Sequence, residues 1–363
     1  MTYATTIIGG GLTGLLLAHR LCKSGHKVGL LEARESLGGR YRRQGSAANP
    51  YTSPGLDFIP ASNENVALLE WVKSVSPTPF NFEIVEHRPQ LYDEGKWKPF
   101  AGFGETHFQS VDALTYFGHT HEIKIEPGLE QLVRVLVEQL PFEAQTMSEV
   151  TGFKFTDGKV SEVVVNGDKT VKAERFIFTP HTALLNNLIE GDELNAKHRT
   201  RLAKMQPWTA VTLELFHETP LVEDSSIRIF THNAKEFEPV VGRVNGQTSH
   251  WMTMVHMERE ADHEFAGQCI RHIKRQLKRA WNTEIEGDMR EKIFVQNNAY
   301  GHQSLKTKNP FKFPEIENLY AGNHLLATRA GEIGSLEVVE VLETEILGNP
   351  ASVKIAEPSA EDF

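Results

Sequence analysis

Apolar and polar positions follow two periods along this chain, and the period changes at glycines. Tyr3 to Ile8 is a short β-type run rich in Thr and Ile, and Gly9, Gly10 and Gly11 follow it. Leu12 to Cys22 then places Leu15, Leu16, Ala18 and Leu21 at helical spacing. Ser24-Gly25-His26 closes that run, since glycine is the common helix stop. Lys27 to Leu31 returns to a strand-like run that ends at Glu32. Strand, helix and strand within about thirty residues form a βαβ unit, which implies a parallel sheet.

Farther along, Val66 to Val75 and Gly128 to Leu140 read as helices. Val150–Phe155, Val160–Val165 and Arg175–Phe178 read as strands, with Asp157-Gly158 and Asn166-Gly167 as hairpin turns between them. Ala210 to Phe216 alternates like a half-buried strand, and Ala261 to Trp281 is a long amphipathic helix. Leu319 to Ala321 is a last short strand and Ser335 to Leu347 a last helix. Residues 44–66 read as loops and 349–363 as a polar tail.

Composition narrows the class. The 363 residues suggest two domains and a core large enough to need no disulfide or structural metal. The formal charge of −10 argues against a nucleic-acid partner and against charge-driven attachment to anionic lipid. Two cysteines, Cys22 and Cys269, make neither a disulfide framework nor a four-thiolate zinc site. No run reaches the ~18 apolar residues of a membrane span, and the N-terminus lacks the basic region of a signal peptide. The expectation is a soluble cytoplasmic protein. His119-Thr120-His121 pairs two imidazoles without a third ligand at a readable spacing, so no metal site is expected.

The chemistry concentrates at the first turn. Gly9-Gly10-Gly11-Leu12-Thr13-Gly14 is G-x-G-x-x-G, between a strand and a helix. Gly9 permits the tight turn, Gly11 lets the backbone approach a diphosphate, and Gly14 lets helix and strand pack closely. The free N–H groups and positive dipole at the helix start suit phosphate charge. Glu32, at the end of the next strand, suits the hydroxyls of an adenosine ribose and would repel a 2′-phosphate. These residues specify an adenine dinucleotide without choosing between NAD and FAD.

The next stretch, Glu32-Ala33-Arg34-Glu35-Ser36-Leu37-Gly38-Gly39-Arg40, resembles the E-A-x4-G-G-R segment of the flavin-containing amine oxidase superfamily. That group includes monoamine and polyamine oxidases, protoporphyrinogen oxidases and phytoene desaturases. Gly55-Leu56-Asp57-Phe58, Pro127-Gly128-Leu129, Val150, Arg175–Pro180 and Asn318–Asn323 resemble further family segments in the same order. The resemblance implies an α/β chain: a Rossmann-like FAD-binding domain with an interleaved smaller α+β substrate domain. Residues 1–60, 125–185 and 290–348 would form the first, 61–124 and 186–289 the second, and 349–363 a tail. It implies FAD, expected to be held non-covalently because Cys22 and Cys269 are both far from the family's site of covalent attachment, with contacts from Gly9, Gly11, Leu12, Thr13, Gly14, Glu32, Ala33, Gly39, Arg40, Leu56, Asp57, Phe58, Val150, Gly322, Asn323 and Ile333. Arg40 would offer its planar fork to phosphate oxygens.

The implied activity is transfer of a hydride from an amine, a dihydronicotinamide or a desaturation substrate onto the flavin. Tyr300 and Glu332 are the candidate catalytic residues on the substrate side. Two departures matter. Trp208-Thr209-Ala210-Val211-Thr212-Leu213 lacks the lysine that amine oxidases carry there, and Glu332 replaces the second ring of the family's aromatic cage. The short substrate lobe is closer in size to renalase-like members, leaving room for a small-molecule substrate or a protein partner. Phe80, Phe82, Trp97, Phe100, Phe103 and Phe108 are candidates to line its pocket. The competing readings are an NAD-dependent dehydrogenase and a flavin-binding accessory or maturation protein.

Overall fold

The computed structural model describes residues 2–41, 56, 58–76, 79–104, 108–126, 128–204, 207–232, 237–256, 259, 262–281, 291–300, 311–327 and 331–348. In chain order the elements are β1 (Thr2–Ile8), α1 (Leu12–Lys23), β2 (Val28–Leu31), α2 (Asn63–Val75), β3 (Asn81–Glu86), β4 (Gln90–Asp93) and β5 (Lys96–Pro99). There follow α3 (Val111–Leu114), β6 (His121–Glu126), α4 (Leu129–Glu138), β7 (Val150–Thr156), β8 (Lys159–Val165), β9 (Lys169–Phe178), α5 (Leu185–Leu188) and α6 (Ala196–Ala203). The rest are β10 (Trp208–Phe216), β11 (Arg228–Phe230), β12 (Val240–Asn245), β13 (Thr248–His256), α7 (His263–Trp281), β14 (Glu291–Tyr300), β15 (Leu319–Ala321) and α8 (Gly331–Leu347).

The first sheet runs β2-β1-β9-β8-β7, with β15 also on β9. β2, β1, β9 and β15 are parallel, and β7–β8 is an antiparallel extension. Thr5 to Ile8 and all of β2 are buried, as expected of parallel strands covered on both faces. Asp157-Gly158 and Asn166-Gly167 have positive φ at both positions, the pattern of tight hairpin turns that match strand twist. α1 buries Leu15, Leu16, Leu17, Ala18 and Leu21 in the core above this sheet.

The second sheet runs β14-β10-β13-β12-β11-β4-β5 and is antiparallel except where β11 meets β4. α7 covers one face through Phe265, Cys269, Ile270, Ile273 and Leu277, a helical spacing that meets Val211, Leu213 and Leu215 of β10. The opposite face carries Ala210, Val241, Met252 and Met254 against Phe58 and Phe117. A buried Arg243–Glu122 pair, 2.5 Å apart, ties β12 to the two-stranded β3–β6 sheet.

The domain limits differ from those expected in three places. Leu68, Leu69 and Val72 of α2 enter the first core, although 61–124 was expected in the second lobe. Ile189, Leu194 and Leu202 do the same for the segment after residue 185. β14 instead hydrogen-bonds along β10, so residues 291–300 belong to the second sheet. Helix starts also shift to where side chains cap them. Ser62 accepts from Asn65 N at the start of α2, and Asp262 accepts from Phe265 N at the start of α7.

Candidate functional site

Three glycines make the turn after β1 possible. Gly9 has φ +100° and its N–H donates to Leu31 O at 2.7 Å. A side chain at Gly14 would overlap the Gly9 carbonyl oxygen, so only glycine lets α1 seat this close to β1. Gly39 has φ +56° and its missing Cβ would lie 2.9 Å from the Gly11 Cα. Gly38 N donates to Gly10 O at 2.7 Å, so the Gly38–Arg40 crossing is laid directly over the start of α1.

Glu32 is fixed by backbone alone. One carboxylate oxygen accepts from Gly10 N at 2.7 Å and the other from Arg34 N at 2.9 Å. Its own N–H donates to Gln145 O, and its carbonyl accepts from Ser148 N. Each carboxylate oxygen keeps a further lone pair that suits a sugar hydroxyl.

A cavity of about 900 Å³ opens here, within the size range of small-molecule sites. Gly9, Gly11, Leu12 and Thr13 line it from the start of α1, and Glu32 and Ala33 from the end of β2. Gly39 and Arg40 line it from the crossing, Val150 from β7 and Asn323 from the loop after β15. Ser335 lines it from the second turn of α8. Gly14 acts from behind, as the seat of the Gly9 carbonyl.

Other expected contacts fall elsewhere. Leu56 and Phe58 are packed in the core between the lobes rather than in the cavity wall. Gly322 sits behind the wall, where a Cβ would meet Ile177 at 2.8 Å, so its role is close packing of β15. Asn323 spends its side chain on structure: Oδ1 accepts from Leu325 N and Nδ2 donates to Thr179 O. Asp57 lies outside the described residues, as do the side chains of Glu332 and Ile333, whose backbone is in the first turn of α8. Tyr300 is buried at the lobe junction, 5.5 Å below the Arg40 guanidinium and edge-on to Phe117. None of Phe80, Phe82, Trp97, Phe100, Phe103 and Phe108 lines the cavity; Trp97 is wedged among Tyr92, Phe230 and Trp281.

Two wall residues, His181 and His324, escaped the sequence reading. Arg40 Nη1 donates to the Ala299 carbonyl at 3.3 Å. Burial, then the Arg40 charge, pushes the His324 imidazole down to about 3. Burial pushes His181 down to about 4. Both rings are thus neutral at pH 7, and Nε2 of each is buried without a partner. Their signal in the sequence was adjacency: His181 follows Thr179-Pro180 and His324 follows Gly322-Asn323, both at strand ends that face the nucleotide turn.

No helix among the described residues is long and apolar enough to cross a membrane, and no cluster of three His, Cys, Asp or Glu residues among them has a metal-holding arrangement. Residues 7–60 match the family model described as an NAD(P)-binding Rossmann-like domain. A search of curated proteins finds no match. Among solved structures, an oxidoreductase from Methanosarcina mazei is 16% identical, with 94% of this chain and 100% of that one covered and a TM-score of 0.70. A putrescine oxidase with bound putrescine is 12% identical, covering 96% and 100%, with a TM-score of 0.66. A cyclohexylamine oxidase from Brevibacterium oxydans is 10% identical, covering 95% and 99%, with a TM-score of 0.67. The chain therefore has the fold of these oxidoreductases: a Rossmann-like half joined to a mixed-sheet second lobe.

Proposed function

We propose that this chain is an oxidoreductase that holds FAD non-covalently along the start of α1 and oxidises a C–H bond of a small molecule. The observation that carries this reading is the turn at Gly9, Gly14 and Gly39, where an added Cβ would clash or strain the backbone. The two histidine nitrogens without partners in the same cavity also fit a polar ligand. Likeness of fold to oxidases that act on amines supports the reaction class. Neither Cys22 nor Cys269 lines the cavity, and burial pushes the Cys269 thiol up to about 12, which agrees with a cofactor held without a covalent bond.

When bound, the flavin supplies hydride acceptance from the substrate and onward electron transfer. The protein supplies placement and charge. Glu32 and Ala33 hold the adenosine end, with Val150 beside them. The N–H groups of Gly11, Leu12 and Thr13, together with Arg40, neutralise the diphosphate. The first turn of α8, with the backbone of Ile333, sets a positive helix end where negative charge accumulates on the reduced ring system. Tyr300, beneath the Arg40 guanidinium at the lobe junction, is the described candidate for the substrate side. Because β10 carries no lysine, substrate activation does not rest on an ammonium group from that strand.

The test is anaerobic titration of the purified yellow protein with a panel of amines, dihydronicotinamides and polyenes. Loss of absorbance near ~450 nm with one class is expected. Protein that retains FAD yet is bleached by none would favour an accessory role, and protein that takes up NAD but not FAD would favour the dehydrogenase reading.

A further inference from the structure

The end of the cavity next to Glu32 is walled by Ser148, Glu149 and Val150, and what holds them lies outside the cavity. Val150 buries its side chain in the first core, so what it offers the cavity is its backbone. β7 ends its sheet among the described strands, with β8 on one side only. The edge toward which Val150 turns its N–H and C=O therefore decides whether a ligand meets them.

That choice is made by Asn166, an exposed residue in the turn between β8 and β9. Its N–H donates to the Glu149 carbonyl at 2.8 Å, and its Oδ1 accepts from Glu149 N at 2.9 Å. Its Nδ2 donates to the Met147 carbonyl at 2.9 Å. In an antiparallel ladder, hydrogen-bonded and non-hydrogen-bonded pairs alternate. Glu149 and Asn166 are bonded, so the next pair, Val150 with Val165, is of the other kind, and both polar backbone groups of Val150 point away from β8. The register slips by one residue between Val150 and Gly152, so the rest of the β7–β8 ladder does not impose this phase. Met147 is held at φ +52°, a conformation that a bulky side chain rarely adopts, between Asn166 Nδ2 and the Arg34 carbonyl, which accepts from Met147 N at 3.0 Å. Strain of this kind persists only where the surroundings over-determine it.

We infer that Asn166 is a positioning residue for adenine: from outside the cavity it clamps residues 147–149 so that the N–H and C=O of Val150 meet the base. Adenine offers the complement, a ring-nitrogen acceptor beside an exocyclic amino donor. Hypoxanthine carries a carbonyl oxygen in place of that amino group and would set an acceptor against the Val150 carbonyl. The inference rests on the FAD reading above, and adds a residue that does not itself line the cavity.

The experiment displaces FAD, followed by its fluorescence, with ADP and with inosine 5′-diphosphate, from the wild type and from Asn166→Gly. Glycine tolerates the φ of +53° at this position, so the variant keeps the turn and loses only the side-chain bonds. The wild type is expected to bind ADP about tenfold more tightly than the inosine compound, the size of one hydrogen bond. Asn166→Gly should bind ADP and FAD more weakly by similar factors, because the loosened wall must be ordered on binding, and should lose most of the preference between the two bases. Equal binding of ADP and inosine 5′-diphosphate to the wild type overturns the inference, whether or not the variant folds. A preference that survives undiminished in an Asn166→Gly protein with wild-type circular dichroism overturns it too, since the side chain would then serve the turn alone. Weaker FAD binding with unchanged ADP binding would place the effect away from the adenosine end and contradict it as well. Wild-type protein that takes neither FAD nor ADP overturns the functional reading and this inference with it, whereas FAD binding without a base preference overturns this inference alone.

Discussion

The two lobes hold their polar groups in opposite ways. In the first lobe Glu32 is held by backbone N–H groups from Gly10 and Arg34, and the cavity beside it is shaped by absent side chains at Gly9, Gly14 and Gly39. In the second lobe the polar groups hold one another. Arg243 reaches Glu122 across two elements, and register places Lys292, Glu214, His250 and Arg243 in one row across β14, β10, β13 and β12. Glu214 meets Lys292 at 3.6 Å, and burial pushes its carboxyl above the ordinary range. A site made of backbone tolerates changes in its neighbours so long as its glycines stay. A site made of paired buried charges fails when either partner is lost.

The largest effect is therefore expected in the second lobe. Arg243→Met leaves the buried Glu122 with only the more distant Lys124, 3.6 Å away, and should destabilise the fold by about 3 kcal/mol, read from denaturant unfolding. A loss below about 1 kcal/mol would mean that the pair is dispensable and the contrast between lobes is wrong. Glu32→Ala comes next. It strips the acceptor from two backbone N–H groups, which should cost about 1–3 kcal/mol of stability and also reduce cofactor retention. Unchanged retention would remove Glu32 from the ribose.

How much of this was legible beforehand follows the same division. The glycine turn was readable because its pattern is local: three glycines, a helix start and an acid at the end of the next strand occupy one βαβ unit. The hairpin turns at Asp157-Gly158 and Asn166-Gly167 were readable for the same reason, since positive φ selects the residues. The Lys292–Glu214–His250–Arg243 row was not readable, because it depends on the register of four strands drawn from distant segments. β14 was placed in the wrong lobe for want of that register. Leu56 and Phe58 were placed at the cofactor from a resemblance of short segments, but apolar side chains there serve the core between the lobes equally well. His324 was missed because its setting comes from burial and from the Arg40 charge, which lies in a segment far from it in the chain.

A pH series sharpens the comparison further. Burial, with Arg243 and Lys292 nearby, pushes His250 down to about 4, against about 6.5 in the unfolded chain. The unfolded state then binds the extra proton, so the stability held above pH ~6.5 declines as pH falls toward ~4. His250→Asn should flatten that decline, and an unchanged slope would exclude His250 from it. The smallest effect belongs to the exposed pair of Lys98 with Asp93, 2.8 Å apart on the β4–β5 hairpin. Lys98→Ala should shift stability by less than about 1 kcal/mol, with the difference shrinking further in salt.

The central claim is that the glycine-built cavity is a flavin site. Denaturing the purified protein and identifying the released small molecule by mass tests it most directly. The account predicts FAD, freed intact in near-equimolar amount with the polypeptide. A nicotinamide dinucleotide in its place, or a protein that neither releases nor takes up FAD when it is supplied, would contradict it.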